Sequence, residues 1–151
     1  MRRRRLIVLL LSALPMASHA QTPGQSAQAF LESVYAPYKA KSTKGQNYHL
    51  AYRFFEPSLA RAMARDYQLA QKNNVPPTLN GDPFVDAQEW EVSGLTIRAA
   101  ESGDQATGIV SFVNLSQKKT LAIELVKTPA GWRIADIAGA SGSLRGLYKI
   151  R

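Results

Sequence analysis

At Trp90 the hydrophobic repeat of the chain changes: upstream, apolar residues recur every three or four positions, and downstream every second one. A chain with that switch has a helical half followed by a strand half, which leaves few folds open. Upstream, "SAQAFLESVYAPY" starts at a sound N-cap, Ser26, and sets Phe30, Val34 and Tyr38 four apart, with Leu31 and Tyr35 alongside. This predicts an amphipathic helix that Pro37 ends. "KAKSTKGQN" reads as a basic loop, and "YHLAYRFFE" as a short helix or an extended segment. Pro57 and Ser58 open the clearest helix, "SLARAMARDYQLAQKNN", with Leu59, Met63, Tyr67 and Ala70 as its core stripe. Asn73, Asn74 and the Pro76-Pro77 pair stop it.

Downstream, four strands follow with short connections. "EVSGLTIRA" has Leu95 and Ile97 on one face and a potential bulge at Gly94, while "QATGIVSFVNLS" is apolar on both faces. "TLAIELVK" alternates Leu121, Ile123 and Leu125 against Ala122 and Glu124; "TPAG" has turn chemistry, and "WRIADI" is the returning strand. Short links favour an antiparallel meander over parallel crossovers. "SGSLRGLYKIR" is expected as a short terminal helix or tail. The predicted fold class is therefore α+β: N-terminal helices packed on a curved, four-stranded antiparallel sheet, a cone-like architecture similar to the nuclear transport factor 2-like superfamily.

Residues 1–20 read as an address. Arg2 to Arg5 form a charged start, Leu6 to Leu14 an apolar run broken by Ser12, and Ser18 and Ala20 the small residues before a cleavage site. Cleavage after Ala20 is expected, with a periplasmic destination, a polar lead-in at 21–25 and a single domain over 26–151. "RRRRLI" also meets part of a twin-arginine pattern, but a run of arginines matches that pair by chance, so an ordinary secretory signal is favoured. The apolar run is shorter than a membrane span of about 20 residues. With no Cys in the chain, disulfides, thiol catalysis, thiolate metal sites and a lipid anchor are excluded together. Removing the signal takes the basic residues from 19 to 15 against 11 acidic ones, a net of +4, and the remaining Lys and Arg are scattered. No nucleic-acid footprint is expected.

Site chemistry concentrates in "LNGDPFVDAQEW", where Asp82, Asp86 and Glu89 lie among Phe84 and Trp90. An Asp before Pro is kept out of helical geometry and caps well, so Asp82 is expected to cap the amides of Phe84 and Val85 at the start of a helical turn over 83–89. The functional reading of the same residues has Gln88 facing inward with Asp82 or Asp86, beside aromatic walls that suit a small polar ligand. On the last strand, period two sets Asp136 on the face of Trp132 and Ile134, where an unpaired carboxylate would titrate high. The alternative for Asp136 is a partner at the strand end: Arg133, Arg145 or the amides of "GASGS". His49, the one histidine after signal cleavage, lies among Tyr48, Tyr52, Phe54 and Phe55 and suggests packing; neither a metal nor a cofactor is expected. Serine nucleophile chemistry lacks an elbow context.

At "NGDPFVDAQEW" and "GWRIADI" the chain resembles a bacterial envelope family known as domain of unknown function 3828. Gly81, Asp82, Pro83, Phe84, Ala87, Gln88, Glu89 and Trp90 fit its first motif, and Trp132, Arg133, Ile134, Asp136 and Ile137 its second. The likeness covers 26–149. It implies the cone-like fold and an exported protein, but no reaction; some members are lipid-anchored, and this chain departs from them in lacking the Cys.

Three functions are compatible with these features. The first, and favoured, is a binding module engaging an envelope protein or a small ligand through Asp82, Phe84, Gln88, Trp90, Trp132 or Asp136. The second is an acid/base enzyme of the isomerase or dehydratase type, with Asp82 or Asp136 as base and a Tyr or Gln88 as stabiliser. The third is a homodimeric structural protein whose sheet face would otherwise expose Ile109, Val113 or Phe112.

Overall fold

A computed structural model describes residues 24–39 and 45–150. The expected export signal, part of the lead-in and most of the basic loop lie outside the described residues. Three α-helices, α1 (Ala27–Lys39), α2 (Pro57–Asn73) and α3 (Leu144–Leu147), accompany a five-stranded sheet. Its strands are β1 (Val92–Ser102), β2 (Gln105–Asn114), β3 (Gln117–Thr128), β4 (Gly131–Gly139) and β5 (Gly142–Ser143). They run in order β1-β2-β3-β4-β5 with every pair antiparallel, as the short links predict, and the sheet is open. The expected four strands become five because Gly142 and Ser143 fold back on Gly139 and Ala138.

Ser26 caps α1 through its hydroxyl, which accepts from the amide of Ala29 (3.1 Å), and the predicted stripe of Phe30, Leu31, Val34, Tyr35 and Tyr38 is buried. Pro37 does not end the helix; it sits inside the last turn. The donor it removes from the Ser33 carbonyl is replaced in part by the Gln46 side-chain amide, which bonds Val34 O at 2.9 Å and reaches Ser33 O at 3.5 Å. α2 opens on Pro57 as expected, but its cap is Glu56, whose carboxylate accepts from the amides of Ser58 (2.8 Å) and Leu59 (2.9 Å). Leu59, Met63 and Ala70 are core, whereas Tyr67 is 38% exposed. Four residues turn a helix about 40° past a full circle, so the third member of a 59–63–67 series rotates to the rim, and Ala70, seven after Met63, returns.

One sheet face carries the core: Val110 and Phe112 of β2, Leu121, Ile123 and Leu125 of β3, Trp132, Ile134 and Ile137 of β4. Phe112 is therefore inward, leaving Ile109 (42% exposed) and the half-buried Val113 on the outer face. α1 lies against this core so closely that a Cβ on Gly108 would stand 2.4 Å from Leu31 Cδ1. Gly94 sits in the expected bulge of β1. A second irregularity, at Ala135, breaks the alternation of β4: Glu124 pairs with Asp136 but Leu125 with Ile134. Asp136 consequently leaves the face of Trp132 and Ile134 and shares that of Glu124, which corrects the period-two placement.

Each long edge of the sheet is capped in part. The Gln28 side chain imitates a neighbouring strand along β1, accepting from Ala99 N (2.8 Å) and donating to Ile97 O (3.1 Å). On β4, Ile134 donates to Phe54 O (2.7 Å) and accepts from Glu56 N (2.9 Å).

Candidate functional site

The segment 81–88 is a closed turn rather than a helix. Asp82 Oδ1 accepts from Phe84 N (2.9 Å), Asp82 O from Val85 N (3.3 Å), and Asp82 N donates to Ala87 O (2.9 Å), so the two ends meet in an antiparallel bridge. Asp82 does cap Phe84, but Asp86 then takes a left-handed backbone (φ 49°), which stops a helix after one turn. Phe84 anchors the turn. Fully buried, it stacks on Phe55 (5.7 Å, 19°) and meets Phe54 (5.7 Å) and Tyr35 (6.0 Å) edge-on. Burying a ring of that size is worth roughly 1.5–3 kcal/mol. Beyond the turn, the buried Asn114 side chain accepts from Glu91 N (2.8 Å) and donates to Glu89 O (3.3 Å), fastening the residues on either side of Trp90.

Beneath the turn lies a polar pair in an aromatic setting. Tyr38 OH donates to Asp82 Oδ2 (2.5 Å) and accepts from Gln46 N (3.0 Å). Burial pushes the Asp82 carboxyl above its usual range, against the lowering effect of the bonds from Tyr38 and Phe84. The same burial, and then the Asp82 charge, push Tyr38 and Tyr35 far up, so both phenols stay protonated. Among the described residues the Tyr35 hydroxyl has no hydrogen-bond partner. Gly45 closes the pair from outside: a Cβ there would stand 2.5 Å from Asp82 Oδ2 and 2.8 Å from Tyr38 OH.

On its other side the turn forms one wall of a hollow of about 260 Å³. Asp82, Asp86 and Gln88 line that wall; Leu121, Ile137 and Gly139 floor it, and the 141–147 segment closes it with Leu144 and Leu147. α3 is held there by Ser143, whose hydroxyl accepts from Gly146 N (3.1 Å), and by Asp136, whose Oδ1 accepts from Arg145 N (3.0 Å) and Ile137 N (2.9 Å). A larger hollow, about 530 Å³, lies between Thr107, Glu124 and the Glu56–Arg145 ion pair (3.1 Å). Of the two motif segments it takes only Ala135.

No protein-family model, curated protein or solved structure matches the chain.

Of the residues singled out in the sequence, Asp82, Asp86 and Gln88 meet at the smaller hollow; Phe84, Glu89, Trp90, Trp132 and Asp136 do not. Phe84 (0% exposed) and Trp132 (2%) are core side chains, not exposed anchors, because each is the apolar plug of its own element. Trp90 is half-buried, edge-on to Tyr38 at 5.1 Å. Gln88 is exposed and donates to Asn80 O (3.3 Å) rather than pairing with Asp82. Asp136 has the strand-end partner expected of a structural residue, the Arg145 amide. His49 is exposed, with the rings of Tyr48 (4.5 Å, 39°) and Tyr67 (4.3 Å, 37°) tilted against it. The segment expected as a short terminal helix or tail does form a short helix, α3; its Leu144 and Leu147 were not among the candidate site residues, although Ser143 three residues before Gly146, with leucines spaced by three, is the signal for a capped turn.

Proposed function

We propose that the protein is an exported, periplasmic binding module that takes a small ligand in the hollow beside the 81–88 turn, and that it belongs with the cone-like envelope family its motifs resemble. The observation that carries this reading is the meeting of two segments far apart in sequence, the Gly-Asp-Pro turn and the 141–147 end, around one hollow with a polar and an apolar side. Acid/base catalysis has less support. Both oxygens of Asp82 already accept hydrogen bonds, and Asp136 is outside the hollow, so neither carboxylate expected as the base is free to act there. A sheet-to-sheet homodimer has less support too, since Phe112 is in the core and the outer face sets Ile109 among Thr96, Arg98, Thr107 and Glu124.

The test is native mass spectrometry of the protein purified gently from the periplasm after export, followed by amide NMR with the ligand removed and restored. A bound small mass whose return shifts the amides of Gly81, Gly139 and Gly142 is the expected result. A bare chain, or one carrying a second polypeptide with those amides unmoved, would overturn the ligand reading.

A further inference from the structure

We infer that this hollow is a site for a small organic cation, an ammonium or guanidinium group carried on an apolar stem. The inference rests on the reading of the hollow as a ligand site and adds the class of ligand.

The charge of the walls is one-sided. Asp82 and Asp86 line the hollow with the neutral side chains of Asn80, Gln88, Ser141 and Ser143, and no Lys, Arg or His is among the lining residues. This negative patch sits on a chain with formal charge +8, or +4 without residues 1–20, so it is not a sample of the general surface.

The two carboxylates differ in what they have left to offer. Asp82 is consumed by Tyr38 and Phe84. Asp86 accepts no hydrogen bond through its carboxylate among the described residues; its charge partner is Lys119, whose Nζ stands 3.8 Å from Oδ2, outside hydrogen-bond range, and donates instead to the Asp86 carbonyl. The left-handed backbone at Asp86 (φ 49°) aims that carboxylate across the floor, with Oδ2 3.1 Å from the point where a Cβ on Gly139 would lie. A carboxylate that is only 21% exposed, without a donor, on the wall of a hollow is where an N–H cation gains most, through charge-assisted hydrogen bonds that water or an alcohol would match less well.

Facing it, Leu121, Ile137 and Leu144 are buried, and Leu147 is 41% exposed beside them. They form an apolar surface suited to a short alkyl stem, and the exposed Leu147 gains cover when one binds. An anion would meet two carboxylates, and a purely apolar molecule would desolvate Asp86 and leave it only the 3.8 Å charge contact with Lys119.

The experiment uses three probes of one size and different charge, n-hexylammonium, n-hexanol and n-hexanoate, titrated at neutral pH into the purified protein and followed by the amides of Gly81, Gly139 and Gly142. n-Hexylammonium is expected to shift all three and to bind about tenfold tighter than n-hexanol, with n-hexanoate inert. Asp86→Asn should abolish the preference for the ammonium while keeping the fold, because Asn tolerates a left-handed backbone as well as Asp does. Equal binding of alcohol and ammonium, or an unchanged preference in Asp86→Asn, would overturn the cation assignment and leave the hollow a ligand site. If n-hexylammonium fails to bind while a co-purified small mass still shifts those amides, the cation class alone falls; if neither does so, the ligand reading falls with it.

Discussion

The Tyr38 hydroxyl and the Asp82 carboxylate, 44 residues apart in sequence, share a buried hydrogen bond of 2.5 Å that ties α1 to the Gly-Asp-Pro turn. The two ends of that bond are not equivalent. Tyr38→Phe leaves a buried carboxylate oxygen and the Gln46 amide without their partner, a loss of about 2 kcal/mol or more. Asp82→Asn keeps an acceptor for Phe84 N and, since Asn caps nearly as well as Asp, should cost about 1 kcal/mol or less. Urea unfolding of the two variants checks the order; a larger loss for Asp82→Asn would show that the charge itself, not the bond, holds the turn.

Their pH dependence should have opposite sense from that of an ordinary ion-paired acid. Burial raises the Asp82 pKa in the folded protein, so the folded state binds more protons than the unfolded one between the two values. This contribution is fully present below the unfolded pKa and is lost as pH rises through the folded one. Asparagine does not titrate. The stability of Asp82→Asn relative to wild type should therefore worsen when unfolding is measured at pH 4 instead of pH 7; an improvement at pH 4 would mean that the hydrogen bonds outweigh burial. Glu56, held below its usual range by its bonds to Ser58 and Leu59 and by Arg145, contributes with the other sign, stabilising above its unfolded pKa and losing that as pH falls.

The β1 edge offers a prediction about association. Gln28 occupies Ile97 O and Ala99 N as a neighbouring strand would. Gln28→Ala removes both bonds, for a loss of about 1–2 kcal/mol, and bares two backbone groups on an 11-residue edge strand. Light scattering at rising concentration should detect self-association in the variant before it appears in the wild type. A variant that stays as dispersed as wild type would show that α1 itself shields the edge.

The helix-to-strand switch at Trp90 was legible because burying one face of each element demands its period, and α2 and the β1–β4 meander follow it closely. β5 was not: two residues, Gly142 and Ser143, carry no period to read. The bulge at Ala135 shows in "WRIADI" only as a break in alternation at Ala135–Asp136, which a strict period of two passes over, and its effect is to move Asp136 off the apolar face. At Asp82 the local chemistry was read correctly and its outcome was not, since an N-cap and a closed turn start from the same carboxylate bond to Phe84 N. What separates them, the Asp82–Ala87 bridge and the left-handed Asp86, is settled by packing of Phe84 into the aromatic core. The hollow escaped notice because its second side comes from the 141–147 segment, whose approach to the turn depends on β5.

Asp136 connects that second side to the sheet. Its Oδ1 holds the Arg145 amide at 3.0 Å and the Ile137 amide at 2.9 Å, so it sets where α3, and with it Leu144 and Leu147, stand over the hollow. If it is such a positioning residue, the acceptor matters and the charge does not. Asp136→Asn should lie within about 0.5 kcal/mol of wild type, whereas Asp136→Ala should lose about 1–2 kcal/mol through two amides left without an acceptor. Amide hydrogen exchange gives the local readout: Arg145 should exchange faster in Asp136→Ala and unchanged in Asp136→Asn, with β2 and β3 protected in both. Equal damage from the two substitutions would instead assign the role to the negative charge, and would return Asp136 to consideration as a chemical group.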